Sequence, residues 1–129
     1  MYNYNSYHKI IVIVIVFLWG IFHFSQRNNK GLYYENGQIK QSGTTLQSMN
    51  EGIWTWYYEN GSILLQGNFH KGKRDGIWKR YDELGNIISE SSYQNNMLNG
   101  LFVEYEPNGK IITKHIYKND KLIEKIKLP

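Results

Sequence analysis

A period of 24 residues constrains this chain more than anything else in it. Glycines recur at Gly37, Gly61, Gly85 and Gly109, and a second series at Gly52, Gly76 and Gly100 keeps the same interval. Side chains follow in step: Ile39, Ile63, Ile87 and Ile111; Tyr33, Tyr57, Tyr81 and Tyr105; Trp54, Trp78 and Phe102; Phe69, Tyr93 and Tyr117. A fixed period of this length marks a repeat architecture, in which one small unit buries its apolar face only against its neighbours.

Each unit reads as a β-hairpin. Residues 53–58 are β-branched and aromatic, a Glu-Asn-Gly turn follows, and a second run extends from Ile63 to Phe69. Asn-Gly suggests a two-residue type I′ turn, with positive φ at both central positions. Two copies argue against it. Leu84 takes the Asn slot in one, and Pro107 stands in another where a two-residue loop wants a ladder N–H. A type I turn closed by a left-handed glycine, with a bulge, suits all four copies.

That turn sets a register in which Tyr58 faces Ser62, Tyr57 faces Ile63, Thr55 faces Leu65 and Ile53 faces Gly67. One face then carries Ile53, Tyr57, Ile63, Leu65 and Phe69, continued by Ile77, Tyr81, Ile87 and Tyr93 and by Leu101, Tyr105, Ile111 and Tyr117. Its recurrence makes it the expected structural face. The other carries Trp54, Trp56, Tyr58 and Leu64, then Trp78, Arg80, Asp82 and Ile88, then Phe102, Glu104, Glu106 and Ile112. It is more variable and more charged, and is the expected binding face.

In chain order, residues 1–9 are a polar leader, and residues 10–24, IIVIVIVFLWGIFHF, are an apolar run without Asp, Glu, Lys or Arg. As a helix this run spans about 22 Å, against a hydrocarbon core of roughly 30 Å. Tyr7 and Trp19 suit interfacial positions, and Lys9 can snorkel. A cleaved signal peptide has an apolar core of the same length, but His23-Phe24-Ser25-Gln26 offers no small-residue cleavage site. The expectation is a single-pass amino-terminal membrane anchor, with a signal peptide as the alternative. Lys9 lies on one side of the run and Arg27 and Lys30 on the other, so charge scarcely chooses an orientation. The repeat domain is expected outside the cytoplasm, or secreted if the segment is cleaved.

Residues 25–30 read as a linker and 31–129 as the repeat domain, with units 31–51, 52–75, 76–99 and 100–123 and a terminal strand. The first unit is degenerate, with Lys30 in the Trp slot and Thr45 in the Phe slot, as suits a cap. The fold class is therefore all-β: an elongated single-layer antiparallel meander of about nine or ten strands, preceded by a hydrophobic helix. The chain has 129 residues, a formal charge of +4 and no cysteine, which excludes disulfides and thiolate metal sites.

The pattern G-x-W-x-x-Y-x-x-x-G-x-I, then an aromatic and Lys71-Gly72-Lys73-Arg74-Asp75-Gly76, resembles the second variant of the MORN repeat, typical of bacterial proteins labelled YwqK-type antitoxins. The resemblance covers residues 31 to about 127. It is most specific at Tyr57-Tyr58-Glu59-Asn60-Gly61 and weaker at Asp82-Glu83-Leu84-Gly85 and Asn95-Asn96-Met97. It implies an elongated β-repeat sheet with a binding or scaffolding role. A toxin is the partner that the antitoxin label implies, and lipid binding is a role attached to other MORN proteins.

No constellation for chemistry stands out. His70 and His115 occupy different positions of the repeat, without a Glu or His at ligand spacing. Asp82, Glu83, Glu104 and Glu106 suit surface roles on their own hairpins, and an extended sheet lacks the enclosed cleft that a carboxylate pair needs. No glycine loop is spaced for phosphates. The expectation is therefore a protein that is not an enzyme, with no catalytic residues, metal or cofactor. The basic cluster Lys71, Lys73, Arg74, Lys79 and Arg80 suits acidic phospholipid head groups better than nucleic acid at this modest charge, and an ordinary solvated turn is its alternative. Lys71, Lys73 and Arg74 are the candidate head-group contacts. Trp54, Trp56, Tyr58, Trp78 and Arg80 are the candidate protein-binding residues, of the types that dominate interface hot spots. Against that, a single-layer sheet needs large flat side chains simply to stay rigid. The functional expectation is a membrane-tethered protein-binding or scaffolding module, and the alternative is a binder of phospholipid head groups or cell-envelope glycans.

Overall fold

The structure is a computed structural model that describes residues 6–29 and 32–128, with helix side chains described over 10–21. Helix α1 (Ser6–Asn29) is followed by strands β1 (Gln41–Leu46), β2 (Met49–Tyr57), β3 (Ile63–His70), β4 (Lys73–Arg74), β5 (Gly76–Tyr81), β6 (Ile87–Gln94), β7 (Met97–Tyr105), β8 (Ile111–Lys118) and β9 (Lys121–Lys125). All nine strands form one open antiparallel sheet in the order β1-β2-β3-β5-β6-β7-β8-β9, with the two-residue β4 also pairing β3. The single-layer meander expected from the period is what forms.

α1 is longer than the apolar run at its centre. It starts within the leader and continues through Asn29, so residues 25–29, read above as linker, are helical. The large apolar side chains from Ile10 to Ile21 are all exposed. Among the described residues no helix is long and apolar enough to cross a membrane. The apolar stretch is short for a bilayer, and polar residues take up the rest of the helix.

Two kinds of turn alternate. At the sequence-marked turns only glycine has positive φ, at 83–88° for Gly37, Gly61, Gly85 and Gly109. There Tyr58 N–H donates to Ser62 O at 2.8 Å and Gly61 N–H to Tyr58 O at 3.0 Å, and Glu106-Pro107-Asn108-Gly109 repeats the pattern. The turns joining one hairpin to the next are two-residue turns with positive φ at both positions: Gln47-Ser48, Lys71-Gly72, Asn95-Asn96 and Asn119-Asp120. Each of the last three is tied sideways to the preceding unit, by N–H donation from Gly72 to Asn50 O, Asn96 to Arg74 O and Asp120 to Leu98 O. At Lys71-Gly72 the Glu51 carboxylate adds two bonds, from Lys71 N–H at 2.7 Å and His70 Nδ1 at 3.0 Å. The Lys71 amide first, and His70 second, hold the Glu51 carboxyl below its ordinary value.

The register differs from expectation beyond the first pair. Tyr57 does face Ile63, but Trp56 then faces Leu65, Thr55 faces Gln66 and Ile53 faces Asn68. Leu64 is an extra residue, bulged out of the ladder, and Ile88 and Ile112 repeat the slip in later hairpins. A one-residue slip exchanges faces. Leu65, Phe69, Tyr93 and Tyr117 therefore join Trp54, Trp56, Trp78 and Phe102, while Ile53, Tyr57 and Ile63 stay opposite. Most of the aromatic packing therefore lies on the Trp face, contrary to the sequence-based division into a structural and a Trp-bearing face, while Thr55 and Val103 are buried on the other.

Glycine makes that packing close. A Cβ on Gly67 would lie 2.2 Å from Trp78 Cδ2, and one on Gly43 would lie 2.2 Å from Trp54 Cδ2, so each indole rests directly on the backbone of the preceding unit. Trp54 Nε1 donates to Thr44 O at 2.9 Å and Trp78 Nε1 to Asn68 O at 3.2 Å. Trp78 is 5% exposed and Val103, on the opposite face, 4%; no described side chain is fully buried. In the next unit Ser91 replaces the glycine, and the smaller Phe102 replaces Trp.

Two outcomes follow from this packing. Gly67→Ala lifts the Trp78 indole and lowers stability in urea by about 1–3 kcal/mol, the usual cost of overpacking. Gly67→Ser combined with W78F, copying Ser91 and Phe102, loses less than Gly67→Ser alone. The depressed Glu51 carboxyl contributes order above its unfolded value and loses it as pH falls through its folded value. Hydrogen-exchange protection of the Lys71 amide thus holds at neutral pH, falls below the ordinary glutamate range near about 4.3, and becomes pH-independent there in E51Q.

Candidate functional site

The aromatic face is built from two rows of side chains running across the strands. Trp54, Gly67, Trp78, Ser91, Phe102 and His115 are successive cross-strand neighbours, as are Trp56, Leu65, Arg80, Ser89 and Glu104 in the adjacent row. Trp54 stands 5.9 Å from Trp56, and Trp56 stands 5.6 Å from Trp78, each pair tilted by 35°. Phe69 meets Trp78 edge-on at 5.0 Å and Tyr93 meets Trp78 edge-on at 6.2 Å. These are favourable aromatic geometries.

The five residues expected to bind a partner have different situations here. Trp54 and Trp56 are half-buried, Arg80 is exposed, and Trp78 is almost entirely covered. Tyr58 is engaged in holding units together: its hydroxyl donates to Tyr81 O at 2.8 Å, as Tyr34 donates to Tyr57 O one unit earlier. In the next copy Asp82 takes that slot. Hydrogen bonds from the Asn86 side chain and the Asn86, Leu84 and Gly85 amides hold its carboxyl below the usual range.

The expected head-group residues also separate. Lys71 and Lys73 are exposed at the turn. The Arg74 guanidinium lies 4.0 Å from the Tyr93 ring centroid and 5.9 Å from that of Trp78, and its Nη2 donates to Asn96 O at 3.3 Å. Arg74 therefore belongs to the aromatic face as a cation–π partner. On the opposite face Gln66 bonds Thr55 and Lys79 pairs with Glu90 at 3.3 Å. There burial first, and the Glu90 charge second, push the Tyr105 phenol up, with Lys79 opposing.

Sequence reading missed Phe69, Tyr93, Leu65 and Arg74 on this face. One signal was present: each aromatic of the Trp series follows a small residue by 11 positions, as Gly43 precedes Trp54, Gly67 precedes Trp78 and Ser91 precedes Phe102. The Trp56 slot carries no such constraint, holding Arg80 and Glu104 in later units.

The model of a MORN repeat variant matches four copies here, at residues 32–46, 50–71, 74–95 and 98–126. No curated protein matches the chain. MORN repeats are commonly protein- or membrane-binding modules. With four matched copies in the frame of the observed hairpins, the chain belongs to the MORN repeat family, in its variant form.

Proposed function

We propose that this protein is a non-enzymatic binding module whose aromatic face contacts a protein partner, with α1 as its tether to a membrane. Trp56 carries the reading. Its slot is filled by Arg80 and Glu104 in later units, so the fold does not require an indole there. Yet Trp56 bridges Trp54 and Trp78 into one aromatic surface, with the exposed Arg80 next but one along its row. Trp and Arg at the centre of a patch are the commonest hot-spot residues. The exposed apolar side chains of residues 10–21 support the tether, since such a surface suits lipid better than water. A toxin is the partner class suggested by the YwqK-type resemblance.

A lipid-binding reading has a specific observation in its favour: Lys71, at a turn, and Lys73, just after it, are both exposed. The two readings separate cleanly. In affinity capture from native membranes with the full chain in detergent, Trp56→Arg, which copies the next unit, should keep the sheet's circular dichroism. It should weaken the captured complex by about 2 kcal/mol or more, roughly 30-fold. Unchanged capture, together with salt-sensitive flotation on acidic liposomes lost in K71A/K73A, moves the function to lipid.

A further inference from the structure

The two edges of the sheet are unlike. β9 exposes Lys121, Glu124 and Lys125, the charges that discourage edge pairing. β1 reads Gln-Ser-Gly-Thr-Thr-Leu, with no charge and no proline. It is also half of an unfinished hairpin. β3, β6 and β8 each pair with the strand that precedes them, whereas among the described residues β1 is preceded by no strand, but by the bridge Tyr33↔Ile39, flanked by the Tyr34 N–H bond to Gln38 O at 2.8 Å and the Lys40 N–H bond to Leu32 O at 2.7 Å.

The backbone geometry says which groups this leaves unpaired. Leu46↔Met49 closes the two-residue turn and is the hydrogen-bonded pair, so Thr45, opposite Asn50, points its N–H and C=O outward. Asn50 shows the same parity on its own side, where its carbonyl is taken by Gly72. Counting by the 24-residue repeat, Gln41, Gly43 and Thr45 correspond to Leu65, Gly67 and Phe69, which face β2 in the complete hairpin. Three residues thus present outward donors and acceptors along an uncharged edge.

We propose that this edge pairs with the same edge of a second copy, antiparallel about a two-fold axis at Gly43. Gln41 of each copy then lies opposite Thr45 of the other, and Gly43 lies opposite Gly43. The register matches outward groups with outward groups and opposes no like charges, which the Lys-bearing β9 would not achieve against itself. Leu46, 62% exposed, comes to the end of the other copy's Leu32–Tyr33 segment, whose side chains are 38% and 44% exposed. Two-fold pairing of this kind is self-contained, since one surface supplies both halves. The result is one continuous sheet through both copies, with the aromatic faces extended and unobstructed. The pairing surface is separate from the aromatic face, so its failure and that of the binding-face reading can be told apart.

The test uses the full chain in detergent micelles, with mass measured by light scattering over a range of concentrations. The wild type should be a dimer. Thr45→Pro removes one outward N–H without touching the β1–β2 ladder, and should give a monomer with unchanged circular dichroism and tryptophan fluorescence. Trp56→Arg should remain dimeric. Because the chain has no cysteine, S42C/T44C provides a second measurement: these positions oppose each other across the axis, and mild oxidation should yield a covalent dimer. A wild type that is monomeric throughout overturns the proposal. So does a dimer that survives Thr45→Pro and does not crosslink, which would place the contact on α1.

Discussion

The whole sheet depends on an aromatic ring lying flat on the backbone of the unit before it. A single layer of β-structure has no second layer to bury its side chains, and no described side chain here is fully enclosed. Stability must come from contacts that run along the ribbon. Gly43 and Gly67 remove the Cβ that would hold the indoles of Trp54 and Trp78 away, and the indole N–H then reaches the carbonyls of Thr44 and Asn68. Each such contact is also a joint between consecutive units, so packing and stacking are one interaction. Where the ring shrinks to Phe102, the residue beneath it grows to Ser91, which keeps the layer at one thickness.

This requirement explains why the aromatic face is structural before it is anything else. Trp78 is covered because Phe69, Tyr93, Trp56 and Arg74 pack around it. Trp56 is different. It too packs against Trp78, but its slot holds Arg80 and Glu104 in later units, and it lies in the row that leads to Arg80. Of the two readings the sequence left open, rigidity belongs to Trp78, and recognition is the role proposed above for Trp56.

Much of the fold was legible in the residues. The glycine period gave the hairpins, Leu84 and Pro107 identified the turn, and Lys30 and Thr45 marked the first unit as degenerate. The faces were not legible, because a bulge leaves little compositional trace. Leu64, Ile88 and Ile112 are apolar and β-branched or nearly so, and nothing in them announces that they step out of the ladder. One such residue per hairpin moves Phe69, Tyr93 and Tyr117 across the sheet. Their spacing from the tryptophans, read with the small residues beneath, was the physical clue that alternation alone could not supply.

The connectivity has a kinetic consequence. Every strand pairs with strands adjacent in the chain, and only the short β4 departs from a strictly sequential path. No contact in the sheet waits for a distant segment to arrive, so the loops to be closed are short and their entropic cost small. Such a ribbon assembles quickly by zipping outward from whichever hairpin forms first. Its best nucleus is the β2–β5 stretch, which carries the indoles of Trp54, Trp56 and Trp78, and its ends are the first parts to open.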